Sequence, residues 1–110
     1  MKTYVVDIDG TICVQSRGKK PDYSDAQPIQ KRIDIMNELY EKGNTLVYFT
    51  ARGMGRSSGN QIASNVIFYE KTINQLIEWG VKFHSLYLGK PAGDVYIDDK
   101  GINADDFFKD

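Results

Sequence analysis

Two aspartates, Asp7 and Asp9, stand two residues apart at the end of the apolar run Thr3-Tyr4-Val5-Val6. In an extended chain that spacing turns both carboxylates to one side. There they repel each other and resist the low dielectric, so they need a cation or a shared proton. The pair Asp98-Asp99 closes a second apolar stretch, Val95-Tyr96-Ile97, and poses the same problem. Adjacent residues face opposite ways, so one of that pair is expected to reach the same cation. Either pair alone reads equally well as turn carboxylates, whereas two pairs in one small sheet favour a magnesium site. Thr50 and Lys90 give the metal a purpose. A hydroxyl and an ammonium beside magnesium form a cradle for a phosphoryl group whose charge must be neutralised during transfer. Gly89 and Pro91 flank Lys90 and set an unusual local backbone.

The elements that must carry these residues follow from periodicity. Residues 3–9 read as a buried strand stopped by Gly10-Thr11. Cys13 to Gln27 is polar and turn-rich, an excursion over the surface. Pro28 suits the first position of a helix. Ile29, Ile33, Met36 and Tyr40 then recur at helical spacing, with Gly43 as terminator. Thr45 to Phe49 forms a second strand ending at Thr50. After the loose segment Gly53–Gly59, the residues Ile62, Val66, Tyr69, Ile73, Leu76 and Ile77 define an amphipathic helix closed by Gly80. Short strands are expected around Ser85–Leu88 and Val95–Ile97, then a weak helix after Gly101. This alternation predicts an α/β fold: a three-layer, Rossmann-like parallel sheet with helices on both faces. Ligands of such sheets bind at the carboxyl ends of the strands, where Asp7, Asp9, Thr50, Lys90, Asp98 and Asp99 all fall.

Composition narrows the chemistry further. The 110 residues suit one domain, 1–110. The net charge of -1 gives no pull towards nucleic acid or an anionic membrane. The longest apolar runs are four residues, Leu46–Phe49 and Val66–Tyr69, against the roughly 20 of a membrane-spanning helix. Asp7 and Asp9 interrupt the N-terminal apolar stretch, so a signal peptide is not expected and the reading is cytoplasmic. Cys13 and His84 are each the only residue of their kind. A disulfide or a cysteine zinc site is thus excluded within the chain, and any metal must be held mainly by oxygen.

In their order on successive strand ends, Asp7-Ile8-Asp9-Gly10-Thr11, Thr50-Ala51-Arg52, Lys90-Pro91 and Asp98-Asp99 resemble the four motifs of the haloacid dehalogenase superfamily phosphatases. The resemblance spans nearly the whole chain. It implies a magnesium-dependent phosphate monoester hydrolase in which Asp7 is the nucleophile that forms an aspartyl-phosphate. Asp9 would be the general acid/base and would bind the metal through its backbone carbonyl. Thr50, Ala51 and Lys90 would hold the phosphoryl group. Asp7, Asp9 and Asp98 would be the metal set, with Asp99, Gly10 and Thr11 in support. The residue chemistry agrees: a carboxylate attacking phosphorus splits hydrolysis into two easier steps, and a second carboxyl can serve both proton transfers. Only 17 residues separate Thr11 from Ile29 and 39 separate Thr50 from Lys90, so no cap domain is expected. The Gly-Lys-Pro and Tyr-Ile-Asp-Asp-Lys spacing is similar to small phosphatases of bacterial capsule polysaccharide biosynthesis, which implies a sugar phosphate as substrate.

Other signals are weaker. The glycines of 53–59 are one residue too widely spaced for a dinucleotide-binding turn, and a loop over the site suits them better. Asp7-Ile8-Asp9-Gly10 places its glycine wrongly for a calcium-binding EF-hand. Arg17, Lys19 and Lys20 read as a solvated run, while Arg52 is a candidate substrate contact. Cys13, His84 and Trp79 read as packing residues. Two alternatives stay open: a phosphate-accepting switch resembling response-regulator receivers, in which the adjacent acidic pair comes first and not last, and a phosphotransferase. Without a cap, specificity falls to the Cys13–Gln27 excursion, the Arg52–Asn60 loop or a second copy closing the open site.

Overall fold

A computed structural model of the chain describes residues 1–14, 23–54 and 61–110. In chain order the elements are β1 (Thr3–Asp7), β2 (Cys13–Val14), β3 (Gln27–Pro28), α1 (Gln30–Glu41), β4 (Thr45–Thr50), α2 (Gln61–Glu78), β5 (Ser85–Leu88) and α3 (Ala104–Phe108). The class is α/β with a parallel sheet, as expected. Its order is β1-β4-β5, with Asp7 level with Phe49 and Thr50 level with Leu88. Residues 13–14 and 27–28, the roots of the surface excursion, pair as a short antiparallel ribbon. The excursion between them, with Arg17, Lys19 and Lys20, lies largely outside the described residues, as does most of the segment after Gly53.

Strand order and side-chain alternation decide where the core sits. Two right-handed crossovers taken in the same direction put α1 and α2 on one face of the sheet, where the alternation alone predicts helices on both faces. The β-strands alternate accordingly: Val6, Leu46, Tyr48, Thr50, Leu86 and Leu88 are buried. On the opposite face Val5 and Tyr87 are exposed, and neither crossover helix covers them. α1 turns Ile33 and Met36 inward. Its N-cap is Ile29 and not Pro28, because Pro28 is held in the ribbon opposite Cys13. Gly43 (φ 96°) and Gly80 (φ 75°) close α1 and α2 as expected, each in the left-handed conformation that costs glycine little.

Further expectations change. The buried stripe of α2 is Phe68, Thr72 and Leu76, whereas Ile62, Val66 and Ile77 face solvent. The helix is apolar on more than one side, so periodicity alone could not say which side meets the sheet. Val95–Ile97 forms no strand and is exposed. Six residues, Gly89 to Asp94, connect it to β5, and a parallel crossover needs about a dozen or more.

α3 is capped by Asn103, whose side chain accepts from the Asp105 N–H at 3.0 Å. It is latched by the buried Arg32, which pairs with Asp105 (2.8 Å) and Asp110 (2.7 Å), lies over the Phe108 ring (4.8 Å) and donates to the Thr11 carbonyl (3.1 Å). One guanidinium thereby ties the C-terminal helix to the loop after β1.

Tyr48 is fully buried beside Phe83, and among the described residues its hydroxyl has no hydrogen-bond partner. Burial pushes that phenol above its ordinary 10.0. Tyr48→Phe should therefore raise the unfolding free energy by about 1 kcal/mol. The sign with pH follows: the wild type loses stability above pH 10, where the unfolded phenol ionises and the folded one resists. Urea unfolding of both proteins at neutral and alkaline pH should show the variant's advantage growing with pH.

Candidate active site

The three strand ends converge as the sequence order requires. Asp7 closes β1, Thr50 closes β4, and Lys90 follows β5 after Gly89, whose φ of 107° only glycine adopts without strain. The Lys90 N–H donates to the Thr50 carbonyl at 3.1 Å. That bond swings the Lys90 ammonium to 3.4 Å from Asp7 Oδ1. On its other side the same ammonium lies 4.2 Å from the centre of the Tyr96 ring. Thr11 Oγ1 donates to Asp7 Oδ2 at 3.3 Å. Gly10, at φ 83°, makes the reversal that brings Thr11 back, and its N–H donates to the Cys13 carbonyl. Burial raises the Asp7 pKa, while Lys90, the Ile8 N–H and Thr11 pull it back down. The result is a partly desolvated, accessible carboxylate with an ammonium beside it, suited to nucleophilic attack.

Asp9 is held differently. Arg52 Nε donates to its Oδ2 at 2.8 Å and Arg52 Nη2 to its Oδ1 at 2.9 Å. Arg52 is only 2% exposed, so the substrate contact expected of it is corrected: its guanidinium points inward and positions Asp9. Nη1 reaches Gln75 Oε1 (2.7 Å) and Thr72 Oγ1 (3.4 Å) on α2, and the guanidinium lies 4.6 Å from the centre of the Tyr23 ring. Thr50 Oγ1 accepts from the Arg52 N–H at 3.1 Å, so the strand end and the clamp are built together. Ala51 contributes its carbonyl to the Met54 N–H. Cys13 is buried with its thiol against Asp9 Oδ1 and the Ile8 carbonyl, and burial with the nearby carboxylate pushes it up to about 12.

Tyr23, Thr72 and Gln75 carry no motif, and sequence reasoning missed them. Tyr23 takes a left-handed φ of 70°, accepts from the Gly53 N–H through its hydroxyl and from Gln75 through its carbonyl, and packs edge-on against Phe68. Thr72 lies in a stripe that only the structure reveals as buried.

Asp98 and Asp99 do not join this group. Both are exposed, and Asp98 Oδ1 accepts from the Lys100 N–H at 2.8 Å. That bond holds its carboxyl below the ordinary range. Among the described residues no three His, Cys, Asp or Glu side chains gather closely enough to hold a metal. Asp7 and the Asp9 carbonyl have the hard oxygen chemistry of a magnesium site, but among the described residues of one chain the carboxylate set is incomplete.

No protein-family model matches the chain, and no curated protein does. Among solved structures it is similar to a Vibrio cholerae protein at 27% identity and a TM-score of 0.87, covering 98% of this chain and 88% of that one. It is also similar to the D,D-heptose 1.7-bisphosphate phosphatase from B. bronchiseptica, complexed with magnesium and phosphate, at 18% identity and a TM-score of 0.55. That match covers 93% of this chain and 54% of the phosphatase, so the chain spans about half of that relative.

The Asp9 clamp makes a measurable demand. Arg52→Met leaves a largely but not fully buried carboxylate without its guanidinium and should lower the unfolding free energy by about 3 kcal/mol, the low end for breaking a buried pair. Arg52→Lys keeps the charge but loses the two-pronged geometry and should fall between. Asp9→Asn placed on Arg52→Met should recover part of the loss, which a double-mutant cycle in urea reads directly. With strand ends, register and neighbours in agreement, the chain has the haloacid dehalogenase-like α/β fold.

Proposed function

We propose that the chain is a phosphate monoester hydrolase that works through an aspartyl-phosphate on Asp7. The observation that carries this reading is the convergence of Asp7, Thr50 and Lys90 on three adjacent strand ends, with the Lys90 ammonium 3.4 Å from the Asp7 carboxylate. An Asp7 oxygen attacks phosphorus, the ester P–O bond breaks, and the leaving oxygen takes a proton. Water then attacks the acyl phosphate, giving inorganic phosphate and restoring Asp7. Lys90 offsets the charge of the transferring group. Asp9 supplies the proton and later withdraws one from water. Arg52 engages both Asp9 oxygens and the Cys13 thiol takes a second place on Oδ1, which leaves the second lone pair of Oδ2 for that exchange.

Magnesium is the cofactor of this reading, supported by the hard oxygen donors at the site and by the name of the second structural neighbour. The substrate is a small phosphorylated molecule, a sugar phosphate of the kind made in bacterial capsule biosynthesis. The heptose bisphosphate named for that same neighbour supports a sugar. The domain acts as a single unit, 1–110, in the cytoplasm, and no helix of the described residues is long and apolar enough to cross a membrane.

The clamp on Asp9 favours a second reading, the phosphate-accepting switch, because a base held by arginine would slow deacylation. One experiment separates the two. Mixed with an activated aryl phosphate and magnesium, the wild type should turn over, stop when chelator is added and resume when magnesium is restored. Asp9→Asn should slow turnover by about 10²–10⁴-fold and accumulate a phosphorylated form in intact-mass measurements. Asp7→Asn should form none. A wild type that holds its phosphate for minutes marks a switch, and phosphorylated Asp7→Asn would refute the mechanism.

A further inference from the structure

Asp7 and Asp9 stop one carboxylate short of a metal site among the described residues, and the candidate for the third, Asp98, sits on an arm. Residues 91–103 leave the body at Lys90 and return at α3, and both ends are tied down: Lys90 to Thr50 and Asp7, α3 to Arg32. The arm is ordered in its own right. The Tyr96 hydroxyl donates to the Pro91 carbonyl at 2.7 Å and accepts from the Gly93 N–H at 3.0 Å. Yet its apolar side chains are in water, with Val95 75% and Ile97 95% exposed.

The body carries the complementary defect. β1, which ends in the nucleophile, pairs with β4 on one side and among the described residues has no strand on the other. Val5, in the middle of β1, is 65% exposed. An unpaired edge of this kind takes up another extended segment. The β-branched and aromatic run Val95-Tyr96-Ile97 suits it, and parallel addition would set Asp98 beside Asp7. The chain's own arm cannot do this. It would have to travel from the carboxyl end of β5 back to the amino end of β1, past two strands, on the six residues Gly89–Asp94, where about a dozen or more are needed. Antiparallel addition of its own arm would carry Asp98 to the wrong end of the strand.

Resting on the hydrolase reading for what the site does, we infer that two copies of the chain exchange arms: Val95–Ile97 of each adds as a parallel strand to β1 of the other and delivers Asp98 to the other copy's Asp7. The active site is then shared. With both ends anchored, the thirteen-residue arm reaches about 20 Å from its body at ~3.3 Å per residue, enough to lie along a facing edge. The exchange is reciprocal, as a two-fold pair requires. It buries the apolar arm, pairs the open backbone of β1, and completes the carboxylate set that the described residues of one chain lack.

Two measurements test this, one without metal and one with it. In register with Asp98 beside Asp7, Tyr96 of one copy stands opposite Val5 of the other, within disulfide distance. Val5→Cys/Tyr96→Cys, oxidised in chelator, should run as a covalent dimer on a non-reducing gel, and the unmodified protein should sediment as a dimer. A disulfide within one chain, or a monomeric wild type, would overturn the exchange. For the second measurement, Asp7→Asn and Asp98→Asn chains, each inactive alone, are refolded together. A mixed pair contains one wholly intact site, so about a quarter of the wild-type activity should return. A site built within one chain would return none. If the wild type hydrolyses no phosphate ester, the hydrolase reading falls while the disulfide and sedimentation still judge the arm. An active monomer overturns the exchange alone.

Discussion

Two carboxylates on alternate residues of one strand end are the constraint around which this molecule is arranged. Their repulsion in a partly buried setting requires positive charge from elsewhere in the chain, and the two are served differently. Asp9 receives a planar, two-pronged arginine that is itself held by Thr72, Gln75 and the Tyr23 ring. Asp7 receives a single lysine ammonium at longer range. The first pairing is closed and rigid. The second leaves a carboxylate oxygen open to an incoming group. The two aspartates are thus distinguished by the geometry of their counter-charges more than by their own positions.

That division explains the shape of the surrounding fold. β4 and α2 exist, from the site's point of view, to hold Arg52: the strand through the Thr50 hydroxyl that accepts its N–H, the helix through two polar side chains on its inward stripe. β5 and Gly89 exist to aim Lys90. Because both crossovers run the same way, the helices gather over one face and one edge of the sheet. The strand that bears Asp7 is left at the margin. A larger protein would cover that margin with further strands of its own.

Much of this was legible in the residue order. The alternation in β4, the glycine terminators of α1 and α2, and the polar residues at strand ends all follow from local rules that the structure obeys. The misreadings share one cause. Arg52 looked like a free cation because nothing local shows that Asp9, 43 residues away, will claim it. The apolar residues of α2 outnumber those one face can bury, so Ile62 and Val66 were assigned inward while Phe68 and Thr72 do the packing. Val95–Ile97 has every property of a strand except a connection long enough to place it. Propensity reads a segment's preference, whereas pairing depends on where the chain can carry it.

The latch at Arg32 has a consequence for the order in which the protein can be made. Ribosomes release a chain from its N-terminus at about 5–20 residues per second, so the loop from Asp7 to Thr11 emerges before the side chains that brace it. The cation that quiets Asp9 follows 43 residues later. The carboxylate of Asp110 that engages Arg32, which in turn holds the Thr11 carbonyl, lies 78 residues beyond Arg32. The acidic strand end therefore waits 43 residues of synthesis for the Arg52 counter-charge, and the loop behind it is braced only after Asp110 has emerged.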